Sequence, residues 1–370
     1  MNIFGSLRAL SSGFASARRV KRENNVSIAR QFSDWLALRR NNVGISDYYY
    51  YRLFDPVLHP TMGAKLTYGG WRAFQGEFRS YSKPHLRALA YEKHVFYRLC
   101  AGFGLPVPEL YAVYAPTPES FERHHAITNR QGLIDFLSST EKVPFFGKPS
   151  SGSQGYGGVG VMAREPDGTL QLLNGENITV QMLADRIDEF ASKTGTYLFT
   201  EFLHNHEELE SIAGEAVCSF RVVMLVRNGE PEFFRTSVRF PGPESHTSNV
   251  VRFARGTISC NLNPETGEIT LALAGAGLDR VEVTNHPASG TPLVGHRIDG
   301  WKSIRELALQ ASKAMSPFRM QHWDFALTPR GPVIMEMNFI GDVTACQVHG
   351  PPGIYTEQYL TFRASHARRE

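Results

Sequence analysis

Cysteine is scarce in this chain of 370 residues, and its four copies lie far apart. Cys100, Cys218, Cys260 and Cys346 form no C-x-x-C pair, which disfavours a zinc ribbon, a thioredoxin motif and a disulfide scaffold. Dispersed thiols are typical of proteins from a reducing compartment. We therefore expect a cytoplasmic protein.

Long hydrophobic runs are also missing. The longest apolar stretch, residues 269–278, is far shorter than the ~20 residues that a membrane span needs. The first 22 residues hold five cations and no acid, but they lack the apolar core of a secretory signal. Their composition resembles a transit peptide, and the alternative interpretation is a basic helix in solvent or at a membrane surface.

Charge of one sign is not in large excess. The chain has 39 Lys and Arg against 36 Asp and Glu, and its net charge of +3 is too weak to indicate a nucleic-acid-binding protein. With 42% apolar and 20% charged residues, the composition is that of a globular protein rather than a disordered one. The length allows two or three domains of roughly 100–200 residues each.

Lysine is the rarer cation, with nine copies among the 39, so each lysine is informative. Lys148 opens the glycine- and serine-rich segment 148–158, whose small residues let backbone N–H groups approach an anion closely. A Walker A loop places its lysine after the glycines, and a protein-kinase loop is soon followed by a strand lysine. Residues 149–192 contain no lysine, which excludes both loop types.

A dinucleotide-binding fingerprint is formally present at Gly155, Gly157 and Gly160. It requires a helix directly after the glycines, whereas the residues that follow predict a strand and a tight turn. Two interpretations remain open: a β-hairpin lid that closes over phosphates beside Lys148, or a flexible surface loop with a structural lysine.

Two carboxylates and an amide lie on a predicted C-terminal hairpin. If Thr328 pairs with Pro332, Asp324 lies directly opposite Glu336, and Asn338 shares the same face. Directly opposed carboxylates repel each other unless a cation or a shared proton lies between them. An all-oxygen set of this kind suits Mg²⁺. A solvent-facing sheet with scattered polar residues is the alternative.

The predicted strands and helices mix without a regular β-α-β alternation, which favours the α+β class. The dipeptide Asn228-Gly229 predicts a β-hairpin over residues 217–240. Apolar spacing predicts a helix over residues 85–100 and a helix over residues 177–194. Buried strands are expected at residues 143–148 and 197–203.

Two arginines interrupt predicted strands. Arg221 lies in the otherwise apolar strand 217–226, where a buried cation needs an anionic partner. That partner is either a phosphate or acyl-phosphate of the substrate or a structural carboxylate, and both remain open. Arg239, at the far end of the next strand, is a second cation that we expect at the same site.

The order of these features resembles the ATP-grasp superfamily over about residues 91–350. A helix lysine, Lys93, is followed by Lys148 with its glycine loop, then by the strand end at Thr200, and finally by the hairpin with the carboxylates. The resemblance implies an α+β ATP-grasp fold, in which two subdomains clasp ATP, with Mg²⁺ as the metal.

The resemblance also implies roles for individual residues. Phosphates would be bound by Lys93, Lys148 and the lid residues Ser151, Gly152, Ser153, Gly155 and Gly157. Adenine would be bound at the hinge by Glu201, Phe202 and Leu203, and ribose by Glu208 or its neighbour Glu207. The metal ligands would be Asp324, Glu336 and Asn338, and the catalytic cations Lys148, Arg221 and Arg239.

A narrower resemblance is to the sugar-transfer-associated ATP-grasp group. It is carried by short motifs in a shared order, at residues 44–50, 220–223, 261–267, 285–290 and 331–338. Residues 1–80 do not resemble the α/β N-terminal domain common in ATP-grasp ligases. We therefore expect a helical N-terminal region over residues 1–84, a small subdomain with the lid over 85–203 and a C-terminal subdomain with the metal site over 204–370.

The function implied by the resemblance is a ligase that activates a carboxylate as an acyl-phosphate and joins it to an amine or another nucleophile. The setting would be glycan, cell-envelope or natural-product biosynthesis. A phosphotransferase and a non-catalytic ATP-binding partner of a glycosyltransferase are the alternatives. The expected partners are a small carboxylate and an amine, amino-acid or sugar-linked, but no nucleic acid. Association with a membrane surface or a glycosyltransferase remains open, and the oligomeric state is not indicated.

Overall fold

The computed structural model describes residues 3–116, 126–139, 141–151, 156–242 and 256–367. Its helices are α1 (Ile3–Asn24), α2 (Ile28–Leu38), α3 (Ile45–Tyr50), α4 (Met62–Lys65), α5 (Trp71–Ser80), α6 (Ala88–Tyr91), α7 (Lys93–Gly102), α8 (Arg130–Ser138), α9 (Val180–Thr194), α10 (Glu207–Ala213), α11 (Trp301–Ala314), α12 (Val343–Gln347) and α13 (Glu357–Ala367).

The strands form two sheets. They are β1 (Leu110–Tyr114), β2 (Ala126–Ile127), β3 (Phe145–Pro149), β4 (Val159–Arg164), β5 (Leu170–Leu172), β6 (Asn177–Ile178), β7 (Tyr197–Glu201), β8 (Ser219–Arg227), β9 (Glu230–Phe240), β10 (Ile258–Leu262), β11 (Ile269–Ala274), β12 (Val281–Glu282), β13 (Met320–Thr328) and β14 (Gly331–Asn338). This mixture confirms the α+β class.

The first sheet has the strand order β2-β1-β7-β3-β4-β5-β6, and its described pairs are antiparallel except for β1 with β2. Helices α8 and α9 cover one face through a shared apolar core. Helix α9 begins where the Thr179 hydroxyl accepts a hydrogen bond from the Met182 N–H, and it ends at Gly195, whose φ is +88°. The glycine-rich segment joins β3 to β4, as the hairpin-lid interpretation requires.

The second sheet has the order β12-β11-β10-β9-β8-β13-β14. Its β8–β9 hairpin turns at Asn228 and Gly229, both with positive φ, as a two-residue turn matching the strand twist demands. One face of the sheet packs against α7 and α11 through the apolar side chains of alternate residues, including Phe220 and Trp323. The opposite face carries Arg221 and Asp324, because successive strand residues point to opposite sides.

The N-terminal helices pack around their own aromatic core, which includes tyrosines from residues 48–51. Tyr48, Tyr51 and Phe54 are almost fully buried. The Gln347 side chain binds both backbone groups of Gly69, at 2.8 and 3.0 Å, and so ties this region to the C-terminal segment. The domain boundaries stay predictions; α7, assigned to the small subdomain, packs in the core of the second sheet.

Among the described helices, none combines the length and the apolar character needed to cross a membrane.

Candidate active site

The C-terminal hairpin places Asp324 opposite Glu336, but not through the register that the sequence suggested. Thr328 pairs with Gly331, one residue earlier than Pro332. A β-bulge at Met335 then restores the predicted pairing, because Phe325 faces Ile334 while Asp324 faces Glu336. The bulge therefore brings the second carboxylate to the same face as the first.

Arg221 forms a bidentate ion pair with Asp324. Its Nε and Nη2 atoms lie 2.5 and 2.8 Å from the two carboxylate oxygens, and both side chains are at least nine-tenths buried. Of the two partners left open for Arg221, the structure therefore shows a carboxylate. Burial raises the pKa of Asp324 to about 6, and the attraction of Arg221 limits the rise.

Glu336 lies next to Asn338 and Lys93. The Asn338 amide donates a hydrogen bond to Glu336 Oε1 at 2.9 Å, and Lys93 Nζ lies 4.0 Å from Oε2. Burial alone would raise the pKa of Glu336, but Lys93, Asn338 and Lys148 outweigh it and lower the pKa to about 2. Glu336 is therefore a stable anion. The nearby lysines balance its negative charge, which would otherwise only be repelled by that of Asp324.

Lys148 reaches the same place from the first sheet. Its Nζ donates a hydrogen bond to the Tyr97 hydroxyl at 2.7 Å, and that hydroxyl donates to the Met335 carbonyl at 2.9 Å. Burial lowers the pKa of Lys148, with Glu336 opposing the shift. Helix α7, strand β3 and strand β14 thus meet at one point, each supplying a polar group.

The start of helix α7 is fixed to the end of strand β3 by a second network. The backbone N–H of Lys93 donates to the Ser150 carbonyl at 3.1 Å. The Ser150 hydroxyl donates to Glu92 at 2.9 Å and lies 2.8 Å from Nδ1 of His94. This network sets the spacing of the two lysines, because it joins the helix of one to the strand of the other.

The predicted lid is described only at its ends. Gly152, Ser153 and Gly155 lie outside the described residues. The Ser151 hydroxyl donates to the Thr194 carbonyl at 3.0 Å. Gly157 has a φ of +78°, and a Cβ there would come within 2.9 Å of the Phe190 and Pro149 side chains, so only glycine fits at this position.

The predicted hinge follows strand β7. Glu201 accepts hydrogen bonds from the Glu109 backbone N–H, at 2.8 Å, and from Arg330 in the β13–β14 turn. Phe202 is buried and Leu203 partly buried. The Glu201 carboxylate therefore links the end of the first sheet to the second sheet.

Glu208, the predicted ribose-binding acid, is already engaged. Its Oε1 lies 2.7 Å from Nε2 of His296, and both of its oxygens accept from the Asp299 backbone N–H. Glu207 is exposed at the start of α10. The choice between the two acids for ribose stays a prediction.

Arg239 lines a small polar cavity on the same sheet face. It pairs with Ser219 on one side and Ser259 on the other, so it lies one strand and two residues away from Arg221. Arg239 makes no ion pair with any residue in the described ranges. Burial and the neighbouring Arg221 lower its pKa to about 10.

The cavity beside Arg239 has a volume of about 40 Å³. Its walls include Ser237, Ser259, Asp342, His349 and, from the N-terminal helices, Tyr50. The Ser259 hydroxyl lies 2.9 Å from Nε2 of His349. This space accommodates a water molecule or one small polar group, and its walls are hydrogen-bonding groups around a cation.

The predicted metal ligands fit Mg²⁺ by their donor chemistry. Because the Asn338 amide nitrogen donates to Glu336, its oxygen is turned away and available, so the set offers two carboxylates and one amide oxygen. These hard oxygen donors are few, as is usual for Mg²⁺ sites that are completed by phosphate and water. In the described part of the chain, no group of three His, Cys, Asp or Glu forms an alternative metal site.

Sequence reasoning missed Tyr97, Ser150 and Arg330. Tyr97 follows Lys93 by four residues on a helix, which is a usable signal for a shared face. Ser150 and Arg330 gave no such signal, because their partners Glu92 and Glu201 are 58 and 129 residues distant in sequence.

Two sheets that meet at a pair of lysines and a carboxylate hairpin define a protein of the ATP-grasp class. The sequence matches the family described as sugar-transfer associated ATP-grasp over residues 77–360, and the chain belongs to that family. Both levels of the resemblance are thereby confirmed. A comparison with curated protein sequences finds no match.

Solved structures with similar folds include three whose titles name an enzyme. VanG D-Ala:D-Ser ligase from Enterococcus faecalis has 14% identity and a TM-score of 0.40, over 76% of this chain and 60% of that chain. D-cycloserine synthetase DcsG has 13% identity and a TM-score of 0.44, over 82% of both chains. Biotin carboxylase from Campylobacter jejuni has 12% identity and a TM-score of 0.43, over 75% of this chain and 46% of that chain. At this identity the likeness concerns the fold alone.

Proposed function

We propose that the chain is an ADP-forming ligase that activates a small carboxylate with Mg-ATP and transfers the acyl group to an amine or another nucleophile. The observation that carries the proposal is the meeting of Lys93, Lys148 and Glu336 from a helix and two different sheets. Two cations beside one stable anion leave a positive excess, which suits a polyphosphate chain.

The lysines would bind the phosphates of ATP. The Lys93 ammonium group donates to the Ser150 carbonyl at 3.4 Å, and Lys148 donates to the Tyr97 hydroxyl, so both cations are oriented before nucleotide binds. Glu336, Asn338 and Asp324 would hold Mg²⁺, which neutralises charge on the phosphates when bound. Phosphoryl transfer depends mainly on such positioning and charge compensation, and it requires no nucleophilic side chain.

Arg239 and its cavity would receive the substrate carboxylate. The cavity is polar, contains an arginine without an ion pair among the described residues, and adjoins the Arg221–Asp324 pair on the same face. A carboxylate placed there attacks the terminal phosphorus of ATP, ADP leaves, and the resulting acyl-phosphate reacts with the nucleophile to release phosphate. Arg221 would act by positioning Asp324, because both of its bonded nitrogens face that carboxylate.

The setting we propose is glycan or cell-envelope biosynthesis in the cytoplasm. The family's description, sugar-transfer associated, supports the first part. The four cysteines are all buried and free, which supports a reducing compartment.

The experiment has two stages. Mg-ATP at 100 times its Kd should raise the free energy of unfolding by about 2.7 kcal/mol, measured by thermal melting. A panel of amino and hydroxy acids is then incubated with Mg-ATP and hydroxylamine, which converts an acyl-phosphate to a hydroxamate.

We expect hydroxamate to form with one class of acid. It should be absent with the Glu336→Gln variant and present with the exposed-surface control Glu189→Gln. A stable phosphorylated product in place of hydroxamate would instead identify a phosphotransferase. A melt unchanged by millimolar Mg-ATP would remove the nucleotide assignment altogether.

A further inference from the structure

Helix α2 exposes an apolar stripe. Its buried side chains are Gln31, Asp34 and Leu38, whereas Ile28, Phe32 and Leu36 are 37%, 57% and 55% exposed. These three residues are four apart and therefore share one face. Soluble helices normally turn such a face to the core, so a stripe left in solvent indicates a surface that contacts something else.

Cations adjoin this stripe. Trp35 contacts Phe32 at a ring distance of 5.7 Å, and the guanidinium of Arg39 lies 5.6 Å from the Trp35 ring. On helix α1, Phe14 is 64% exposed. Arg18 and Lys21, four and seven residues later, are exposed on the same face of that helix. Exposed apolar and basic side chains thus occur together on α1 and at the C-terminal end of α2.

The charge of the chain is unevenly divided. Residues 1–42 contain eight cations and two acids, a net charge of +6, while the whole chain has +3. The remaining 328 residues therefore carry a net charge of −3. One of the two N-terminal acids, Asp34, is buried against Lys65 and does not offset the surface cations.

We propose that this face binds an anionic lipid bilayer. The N-terminal basic surface, as we call it, is formed by Phe14, Arg18, Lys21, Phe32, Leu36 and Arg39. Cations attract acidic headgroups, and aromatic and aliphatic side chains enter the boundary between headgroups and acyl chains. A nucleic acid would use the cations but leave the aliphatic stripe in water, so the bilayer uses both halves of the surface. This inference goes beyond the proposed ligase activity and does not depend on it.

The test is cosedimentation of the full chain with sucrose-loaded vesicles. Phosphatidylcholine vesicles are compared with vesicles containing 30% phosphatidylglycerol, at about 0.1 M and at about 1 M salt. Binding should occur on the anionic vesicles alone and should decrease at the higher salt, because the Debye length falls from about 10 to about 3 Å.

Two variants separate the apolar and basic contributions. The first double variant carries Phe32→Glu and Leu36→Glu, and the second carries Arg18→Gln and Lys21→Gln. Each should weaken binding to anionic vesicles by roughly tenfold or more. The matched control, Val294→Glu with Leu360→Glu, changes residues that are 44% and 46% exposed elsewhere and should bind as the parent does. Melting curves verify that each variant is folded.

Several results would overturn the inference. These are absence of binding to the anionic vesicles, equal binding to neutral vesicles, or an equal loss in the control variant. A dimer in sedimentation equilibrium that the α2 variant dissociates would show that a second copy covers the stripe. Binding of a single-stranded oligonucleotide without vesicle binding would assign the surface to nucleic acid.

Discussion

Two groups of charges on the polar face of the second sheet, one around Arg221 and the other around Glu336, differ in how they are paired. In the first group, Arg221 and Asp324 share two short hydrogen bonds and are buried together. In the second group, Glu336 has its nearest lysine at 4.0 Å, and a second lysine is bound to a tyrosine hydroxyl instead of an acid. In the first group the two charged residues hydrogen-bond each other directly, whereas in the second group Glu336 and Lys148 are hydrogen-bonded to neutral groups.

We expect this difference to appear in how the two groups of charges respond to mutation. A buried ion pair stabilises a fold only while both partners are present, because a lone charge in the interior is costly. We propose that the charges around Glu336 serve ligand binding, since an asparagine amide and a tyrosine hydroxyl hold Glu336 and Lys148 in place without a charged hydrogen bond between them. Mutation of Arg221 should therefore affect mainly stability, whereas mutation of Glu336 should affect mainly nucleotide binding and turnover.

The largest effect is expected from Arg221→Met. This change leaves Asp324 buried without its partner, and we expect a loss of about 3–5 kcal/mol in the free energy of unfolding, measured by urea denaturation. Arg239→Met is the matched control, since Arg239 has no ion pair with a described residue, and its loss should be smaller. Adding Asp324→Leu to Arg221→Met should restore much of the stability. If Arg221→Met is as stable as the parent, the distinction between the two groups of charges is wrong.

The next effect is expected from Glu336→Gln. Turnover should fall about 10²–10³-fold, the usual consequence of removing one group that stabilises developing charge. Stability without ligand should fall rather than rise, because Lys93 and Lys148 lose their counter-charge. Repulsion between the two opposed carboxylates alone would have given the opposite sign. Steady-state ADP release and melting of the apo protein measure the two quantities; turnover within a few-fold of the parent would remove the metal assignment.

A smaller effect is expected from Lys148→Met. Loss of one charged hydrogen bond to phosphate should reduce ATP affinity by about 1.5–3 kcal/mol, measured by calorimetry. The apo protein should stay as stable or gain stability, since burial of the ammonium group opposes folding. Lys193→Met, an exposed lysine on α9, serves as the control. An unchanged ATP affinity in Lys148→Met would return Lys148 to a structural role.

The smallest effect is expected from Tyr97→Phe. The change removes the hydroxyl that joins Lys148 to the Met335 carbonyl, at a cost of about 1 kcal/mol. ATP affinity should weaken in the same direction as in Lys148→Met but less. Because the two residues are in contact, the double variant should lose less than the sum of the single losses. Strict additivity would show that the hydroxyl does not position the lysine.

Local signals in the sequence were sufficient for many elements of the fold, but the single helix predicted over residues 85–100 is wrong, because extended backbone at Glu92 divides it into α6 and α7. The Asn228-Gly229 hairpin, the strand that carries Lys148 and the helix before Gly195 are confirmed, because turn chemistry and apolar spacing act over a few residues. The pairing of Asp324 with Glu336 is also confirmed, although through a bulge at Met335 that no local pattern indicated. The roles of the site residues stay predictions.

The sequence by itself was sufficient to identify the class of the protein. The two lysines and the carboxylate hairpin lie in short motifs, and these motifs occur in a fixed order. Only the tertiary structure decided which charges pair. Arg221 and Asp324 are 103 residues apart, and Tyr97 and Met335 are 238 apart. Whether such groups meet depends on how strands are ordered in a sheet and on how a helix packs across it. Periodicity specifies which face a side chain occupies, whereas strand order and helix packing specify its neighbour.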